Sequence, residues 1–557
     1  MKKLFLLLAI IMPSISWANV TMDEIPCNEI RYTATKKLSP RKWISGDANI
    51  ATITWDASTG HGTILFDRNV TKLGGYVFSR CYDLQSVSLP NSIVEIDEGA
   101  FEDCSSLTKV TIPSSIETIR DKTFANCKRL TSINLPNSIK TIGNSAFAHC
   151  KNLTTINLPS GLTTIGNDAF YGCGLTSISL PNSISHIGES AFKFCTQLGY
   201  IKLPSGLTKI RKNTFDSCLN LYNVDMPDTI QVIDDVAFFG CKSLTHIRLS
   251  TGLTTIGTSA FSMCEGLQSI EFGSNLTTIG SSAFSCCSSL TRIELPDSVK
   301  VIKPGAFSSC ENLRSVEFPA YIDGISIKVF ENCRKLEHIT LHEGITAIGT
   351  RAFAGCKSLS KIIIPNSVTH IYKEAFSGCS NLQEVKLSEN LTTIEVDAFN
   401  YCGIVKIDIP DSLQTLPRHV FIGNSNLREF SGKFASYDGR CLIVDGQLVA
   451  FAGAGLKEYT VPGNVTAVTY EVFAKQNDLE KITLPGSIRI IESHAFEFCF
   501  NLKTIYCLAT TPPELGQPPF INIANEYVIY VPMEAIGAYR NSYYWRDYNN
   551  VIEVINL

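Results

Sequence analysis

The sequence predicts a repeat solenoid: short parallel strands stacked into a wall, with capping segments closing both ends. Three observations carry this. A phrase of 23 residues recurs through most of the chain, as in "LTSINLPNSIKTIGNSAFAHC" followed by "LTTINLPSGLTTIGNDAFYGC". Each copy holds an apolar stripe that it cannot bury alone but can bury against a neighbour. And 557 residues with 44% hydrophobic and 18% charged side chains exceed the ~150-residue scale of a single compact core.

The phase is set by the phenylalanine of each "AF". It recurs from Phe78 to Phe421 in steps of 23, shortened to 22 after Cys173-Gly174 and Cys402-Gly403, and returns at Phe473 and Phe496. Within one copy, Leu130, Ile133 and Leu135 point inward along a strand and Asn134 points out. Pro136 ends that strand, having no N–H for a ladder. Ser138, replaced elsewhere by Gly161, Gly206, Asn275 or Asn390, suits a turn or a side chain bonding its own backbone. Ile139 and Ile142 return apolar atoms to the core from the opposite wall. Gly143-Asn144-Ser145 then reads as a turn and an N-cap for one or two helical turns carrying Phe147 and Cys150.

The phrase L-x-x-I-x-L-P-x-S-I-x-x-I-G-x-x-A-F-x-x-C, with Ser, Gly or Asn at its ninth place, resembles the BspA-like class of leucine-rich repeats over roughly residues 74 to 505. The resemblance implies a right-handed leucine-rich-repeat superhelix with a parallel β-sheet wall and short helical or 3-10 turns, capped at both ends. It also implies a bacterial or protist surface protein, since members are described as adhesins for host matrix proteins or partner cells. Fold-level likeness does not by itself assign a ligand.

Cysteine follows the marker phenylalanine by three residues in sixteen of eighteen copies, with Asn424 and Gln476 in the other two. A disulfide stack, a metal ladder and a small buried filler compete. One column of identical positions offers no tetrahedral ligand set. The column shares the apolar side with phenylalanine and leucine, which favours core filler. Cys27, Cys286, Cys441 and Cys507 lie off the column, and their pairing stays open.

The expected organisation follows. Residues 1–18 read as a signal peptide, from Lys2 and Lys3, the apolar run Leu4 to Met12 and a Ser16-x-Ala18 cleavage site. Cys27 comes too late for lipidation. Residues 19–73 form an N-terminal β cap with Trp55 and Phe66, 74–420 the regular repeats, and 421–474 an enlarged repeat with a hairpin at Asp445-Gly446. That unit reads as a structural joint or a protruding contact element, and its apolar strands favour the joint. Residues 475–505 are the last repeat. Residues 506–557 are a cap in which Tyr539, Tyr543 and Trp545 cover the end.

Catalysis and cofactors are not expected. His342-Glu343 lacks a second histidine four residues on, "GAGLK" lacks the context of a dinucleotide loop, and the nine histidines are scattered. A net charge of −4 offers no nucleic-acid footprint. The information left lies five and seven residues after each cysteine, facing out from the wall. Ser132, Asn134, Thr155, Asn157, Ser177 and Ser179 are bland and would suit carbohydrate. The candidate ligand-binding residues are Tyr200, Lys202, Asn223, Asp225, His246, Arg248, Glu271, Arg292, Glu294, Glu317 and His338, with Lys361 and Lys386 beyond. Glu271, Glu294 and Glu317 would repel one another unless Arg248, Arg292 and Arg314 offset them. The wall is either a solvated face or a recognition surface. The partners expected are a host extracellular-matrix or cell-surface protein, or alternatively a glycan or another bacterial surface component, at an extracytoplasmic location. A purely structural envelope role is the remaining alternative.

Overall fold

The computed structural model describes residues 25–40, 47–319, 321–516 and 518–555; the leader reading falls outside them. The chain is a parallel β-solenoid that divides into two compact units between Leu244 and Thr245.

In the first unit, Glu29–Ala34 pairs antiparallel with His61–Phe66 on one side and with Leu84–Ser88 on the other. Leu84–Ser88 pairs parallel with Lys109–Thr111, so an antiparallel sheet closes the first edge of the wall. Its inner residues Ile30, Tyr32, Ile64 and Phe66 are buried. Gly62 is required there, because a Cβ would sit 2.3 Å from the Tyr32 ring.

Each rung has three sides. The wall strand alternates exposed and buried residues, as at Tyr200–Lys202. A turn follows, and the serine in it bonds the preceding rung rather than its own backbone. Ser138 Oγ donates to the Ile116 carbonyl at 2.5 Å, and Ser115, Ser298 and Ser487 repeat the bond. A second parallel ladder comes next, Thr118–Ile119, Thr141–Ile142, Thr164–Ile165 and His186–Ile187.

The third side differs from the expected helical turn. Ser145 (φ 53°) and His149 (φ 60°) are left-handed, and two successive tight turns replace the helix. The backbone explains why. Ala146, Ala148 and Cys150 N–H groups donate three residues back within the rung. The intervening Ser145, Phe147 and His149 N–H groups donate to the Asn167, Ala169 and Tyr171 carbonyls of the next rung. A helix would keep every N–H for itself, whereas alternate turns spend half of them on stacking.

Within this frame the marker phenylalanines form columns. In the first unit the rings from Phe78 to Phe238 lie 5.2–5.6 Å apart. The shortened steps leave the column intact: Phe170 and Phe192 stack at 5.5 Å, and Phe399 and Phe421 at 5.9 Å. The shorter loop is drawn against the rung below. A Cβ on Gly174 would lie 2.1 Å from the Lys151 carbonyl oxygen, and one on Gly403 2.5 Å from that of Ser380.

Every cysteine is a free thiol, and the column is buried except at the half-exposed Cys81. It is more than filler. Cys104 Sγ donates to the Phe78 carbonyl at 3.0 Å, and the same bond to the preceding phenylalanine recurs down to Cys499 and Phe473. Each of these carbonyls thus serves a backbone N–H on one lone pair and a thiol on the other. Asn424 keeps the function without the sulfur: its Nδ2 donates to the Phe399 carbonyl at 2.8 Å, while its Oδ1 is buried without a partner among the described residues. Asn424→Cys should therefore raise stability by about 1 kcal/mol in urea denaturation, since an unsatisfied buried acceptor costs about that much. A loss of stability would contradict this account of the column. Off the column, Cys441 and Cys507 contact the Tyr459 and Tyr539 hydroxyls at 3.1 and 3.2 Å, Cys286 is half-buried, and Cys27 is exposed.

In the enlarged repeat of the second unit, Cys441–Val444 and Gln447–Phe451 form the hairpin, with Asp445 (φ 47°) and Gly446 (φ 76°) at its turn. Gln447–Leu448 pairs parallel with Ala467–Val468, and Phe451 packs on Phe473 at 4.7 Å. At the far end, Ile552–Val554 completes the wall ladder through Val528–Val531. Tyr539 and Trp545 are wholly buried over the last rung, with Trp545 Nε1 donating to the Pro513 carbonyl at 2.8 Å. Tyr543 is 63% exposed and does not cover the end, because it turns outward beneath the Arg546 guanidinium.

Candidate binding wall

Strand alternation places the predicted wall residues outward. In the first unit, Tyr200 faces Asn223 and Lys202 faces Asp225 in parallel register, all four exposed above buried Ile201 and Val224. Lys202 Nζ lies 3.6 Å from the Asp225 carboxylate, an exposed pair of small energetic weight. Tyr222, which alternation did not select, is 56% exposed. Its ring lies 3.0 Å from where a Cβ on Gly199 would sit. The sequence signal was an aromatic one residue before the strand, where Thr131 and Thr154 stand in earlier rungs.

In the second unit, His246 faces Ser269 and Arg248 faces Glu271. Further along, Arg292, Ser315 and His338 align, as do Glu294 and Glu317. These two carboxylates stand directly opposite and would repel, but Arg292 answers both: Nε is 2.6 Å from Glu294 and Nη2 is 2.7 Å from Glu317. Arg314 serves Glu337 instead, at 2.6 Å. The pattern continues with Lys361–Glu384 at 2.8 Å and with Lys406–Glu429. Rung-to-rung pairing sets opposite charges side by side along this face. Arg292→Gln should cost at most about 1 kcal/mol, because these side chains are more than half exposed. The loss should shrink with added salt; a larger, salt-independent loss in thermal denaturation would contradict the pairing account.

The wall ladder is interrupted twice in this stretch, once between Ser269–Glu271 and Arg292–Glu294 and again further along. There one sheet ends at His338–Ile339, and the next starts at Lys361–Ile363. Between them lies a recess of about 430 Å³ lined by His338, Ile339, Leu341, Lys361 and Ile363. A second hollow of about 380 Å³ runs on across Ile363, Val385, Lys386 and Lys406. Ile363 is 54% exposed in an outward position that other rungs give to polar residues. It too was missed, although "KIIIP" shows an isoleucine out of alternation. The strands thus present an apolar notch flanked by charged side chains, an arrangement suited to binding. Among the described residues no group of His, Cys, Asp and Glu is placed to hold a metal ion, and no helix is long and apolar enough to cross a membrane.

Fold and wall together define a leucine-rich-repeat solenoid, a class built as a binding scaffold. The model of the BspA type leucine rich repeat region matches residues 56–173, 117–245, 231–359, 300–428 and 447–533, and the chain belongs to that family. It is similar to a leucine-rich repeat protein from Bacteroides ovatus, at 28% identity over 66% of this chain and 88% of that one, with a TM-score of 0.55. A leucine rich cell surface protein from Faecalibacterium prausnitzii matches at 28% identity over 62% and 95%, with a TM-score of 0.38. A T. pallidum leucine rich repeat protein matches at 34% over 30% and 80%, with a TM-score of 0.29. No curated protein matches.

Proposed function

We propose that the protein is a secreted or cell-surface adhesin that binds a host extracellular-matrix or cell-surface protein through its solenoid wall. The observation that carries this is the notch around Ile363, an exposed apolar side chain on a rigid strand beside two hollows and ringed by charges. Such a site gives a partner an apolar anchor point inside a polar rim. Export is supported by the leader-like first eighteen residues and by the family. The fold is used here for binding, without catalysis.

The test is binding of the purified protein to immobilised matrix proteins and to a glycan array, with Ile363→Asp and Lys361→Glu/Lys386→Glu variants beside it. Saturable binding to a protein ligand, weakened tenfold or more by Ile363→Asp at unchanged thermal stability, is the expected result. Binding that ignores all three substitutions removes the wall from the mechanism. Absence of binding to every immobilised protein overturns the adhesin reading.

A further inference from the structure

A further concavity lies in the first unit, on the arc of turns that carries the phenylalanine column rather than on the wall. It arises from a local irregularity in the repeat. The residue after the marker phenylalanine is Glu102, Ala125, Ala148 and Tyr171 in four consecutive rungs. The two alanines, 5% and 6% exposed, leave a floor two rungs wide between larger side chains. Glu102 to Tyr171 spans three rungs, about 14 Å at the ~4.8 Å spacing of parallel strands. The hollow has a volume of about 340 Å³, within the range of small-ligand sites.

Its rim is chemically mixed. Glu102 and Asp168 offer carboxylate acceptors, and Lys122, Asn126, Ser145 and His149 offer donors or both. One end is aromatic. His149 packs edge-on against Tyr171 with centroids 5.0 Å apart, and Tyr171 packs edge-on against Phe194 at 5.4 Å, so neighbours fix the tyrosine on both sides. Gly172 permits this crowding, since a Cβ there would lie 3.1 Å from His149 Nδ1. Lys122 is held by Glu98 at 3.3 Å. Burial pushes the Asp168 carboxyl above its ordinary range, in keeping with a group partly withdrawn from water.

We infer that this hollow is a saccharide-binding subsite, in which a pyranose ring lies over Ala125 and Ala148 against Tyr171 and its hydroxyls meet the mixed rim. The balance of charges selects the ligand class. A site for an anion or a cation would gather one sign, whereas here carboxylates alternate with lysine, amide and imidazole. Sugar hydroxyls donate and accept at once, and the C–H face of the ring needs an apolar plate, which the alanine floor and the tyrosine supply. This inference does not rest on the wall, and either reading can fail without the other.

Saturation-transfer difference NMR on the full protein would use the methyl glycosides of glucose, galactose, mannose and N-acetylglucosamine as probes. Transfer to at least one glycoside is expected, with affinity lowered tenfold or more in Tyr171→Ala and at least threefold in Asp168→Asn. Asp168→Asn keeps the shape of the hollow, and circular dichroism of both variants reports whether the fold is kept. Tyr222→Ala and Ile363→Asp, both on the wall, should leave the transfer unchanged. No transfer to any of the four glycosides overturns the inference. So does transfer that survives both Tyr171→Ala and Asp168→Asn, or transfer lost only in the wall variants.

Discussion

Between pH 9 and 12 the protein is expected to unfold in one steep transition driven by its cysteine column. Burial pushes the Cys150, Cys195, Cys310 and Cys499 thiols up to about 12, and it raises Cys127, Cys173, Cys287 and Cys333 well above the ordinary range. An unfolded chain ionises the same thiols near ~8.5. Below that pH both states hold the proton, and the column's contribution to stability is complete. Above it the unfolded chain releases protons that the folded chain keeps, so stability falls until the folded value is passed. Each buried thiol adds about 1.4 kcal/mol per pH unit to that slope, and the contributions accumulate along the column. Circular dichroism against pH, together with thiolate absorbance, would show secondary structure and thiolate changing together. Thiolates that appear near pH 8.5 while the strands persist would refute the buried-donor account. Replacing several column cysteines with serine should flatten the slope in proportion.

Trp545→Ala is expected to have the largest effect of any single substitution in the C-terminal cap. Removing a wholly buried tryptophan costs about 3–5 kcal/mol. It also strips the Pro513 carbonyl of its indole donor and removes the edge-on contact with Tyr539 at 4.8 Å. In a stacked array the loss falls first on adjacent rungs, because each contacts only its neighbours. Hydrogen exchange should therefore accelerate at Val528–Val531 and Thr504–Cys507 and remain unchanged at Glu29–Ala34. Tyr543→Ala, at a residue 63% exposed, should change neither. Uniform acceleration through the whole chain would mean that the end does not act as a local lid.

Those contrasts also mark what was readable in the sequence. Periodicity located the inward faces: Leu130, Ile133, Ile139, Ile142, Phe147 and Cys150 are all buried, while Leu135, also expected inward, is only half-buried. Asp445-Gly446 announced its hairpin because that pair favours two consecutive left-handed residues. The arc was misread for a physical reason. Its left-handed positions are occupied by Phe194, Met263, Cys286 and Tyr401 as readily as by glycine, since the hydrogen bonds to the next rung hold them there. Composition cannot reveal a conformation imposed by a neighbour 22 or 23 residues away. The same limit hid the acceptors of Ser138 and the cysteine column. On the wall, alternation placed the residues it named outward, and Arg292 does offset Glu294 and Glu317, but Arg314 pairs with Glu337 instead, and Tyr222 and Ile363 depart from the rule.

The two glycine-relieved rungs carry a consequence for how such a gene can change. A rung that lost a residue at Gly174 or Gly403 still stacks its phenylalanine within 6 Å of the next. Internal rungs present nearly the same pair of faces to what lies above and below. A coding sequence that gained or lost whole 23-codon blocks by unequal crossing-over would therefore still meet matching caps at each end. Length is thereby adjustable independently of the end seals, while the side chains on any one rung stay as they are.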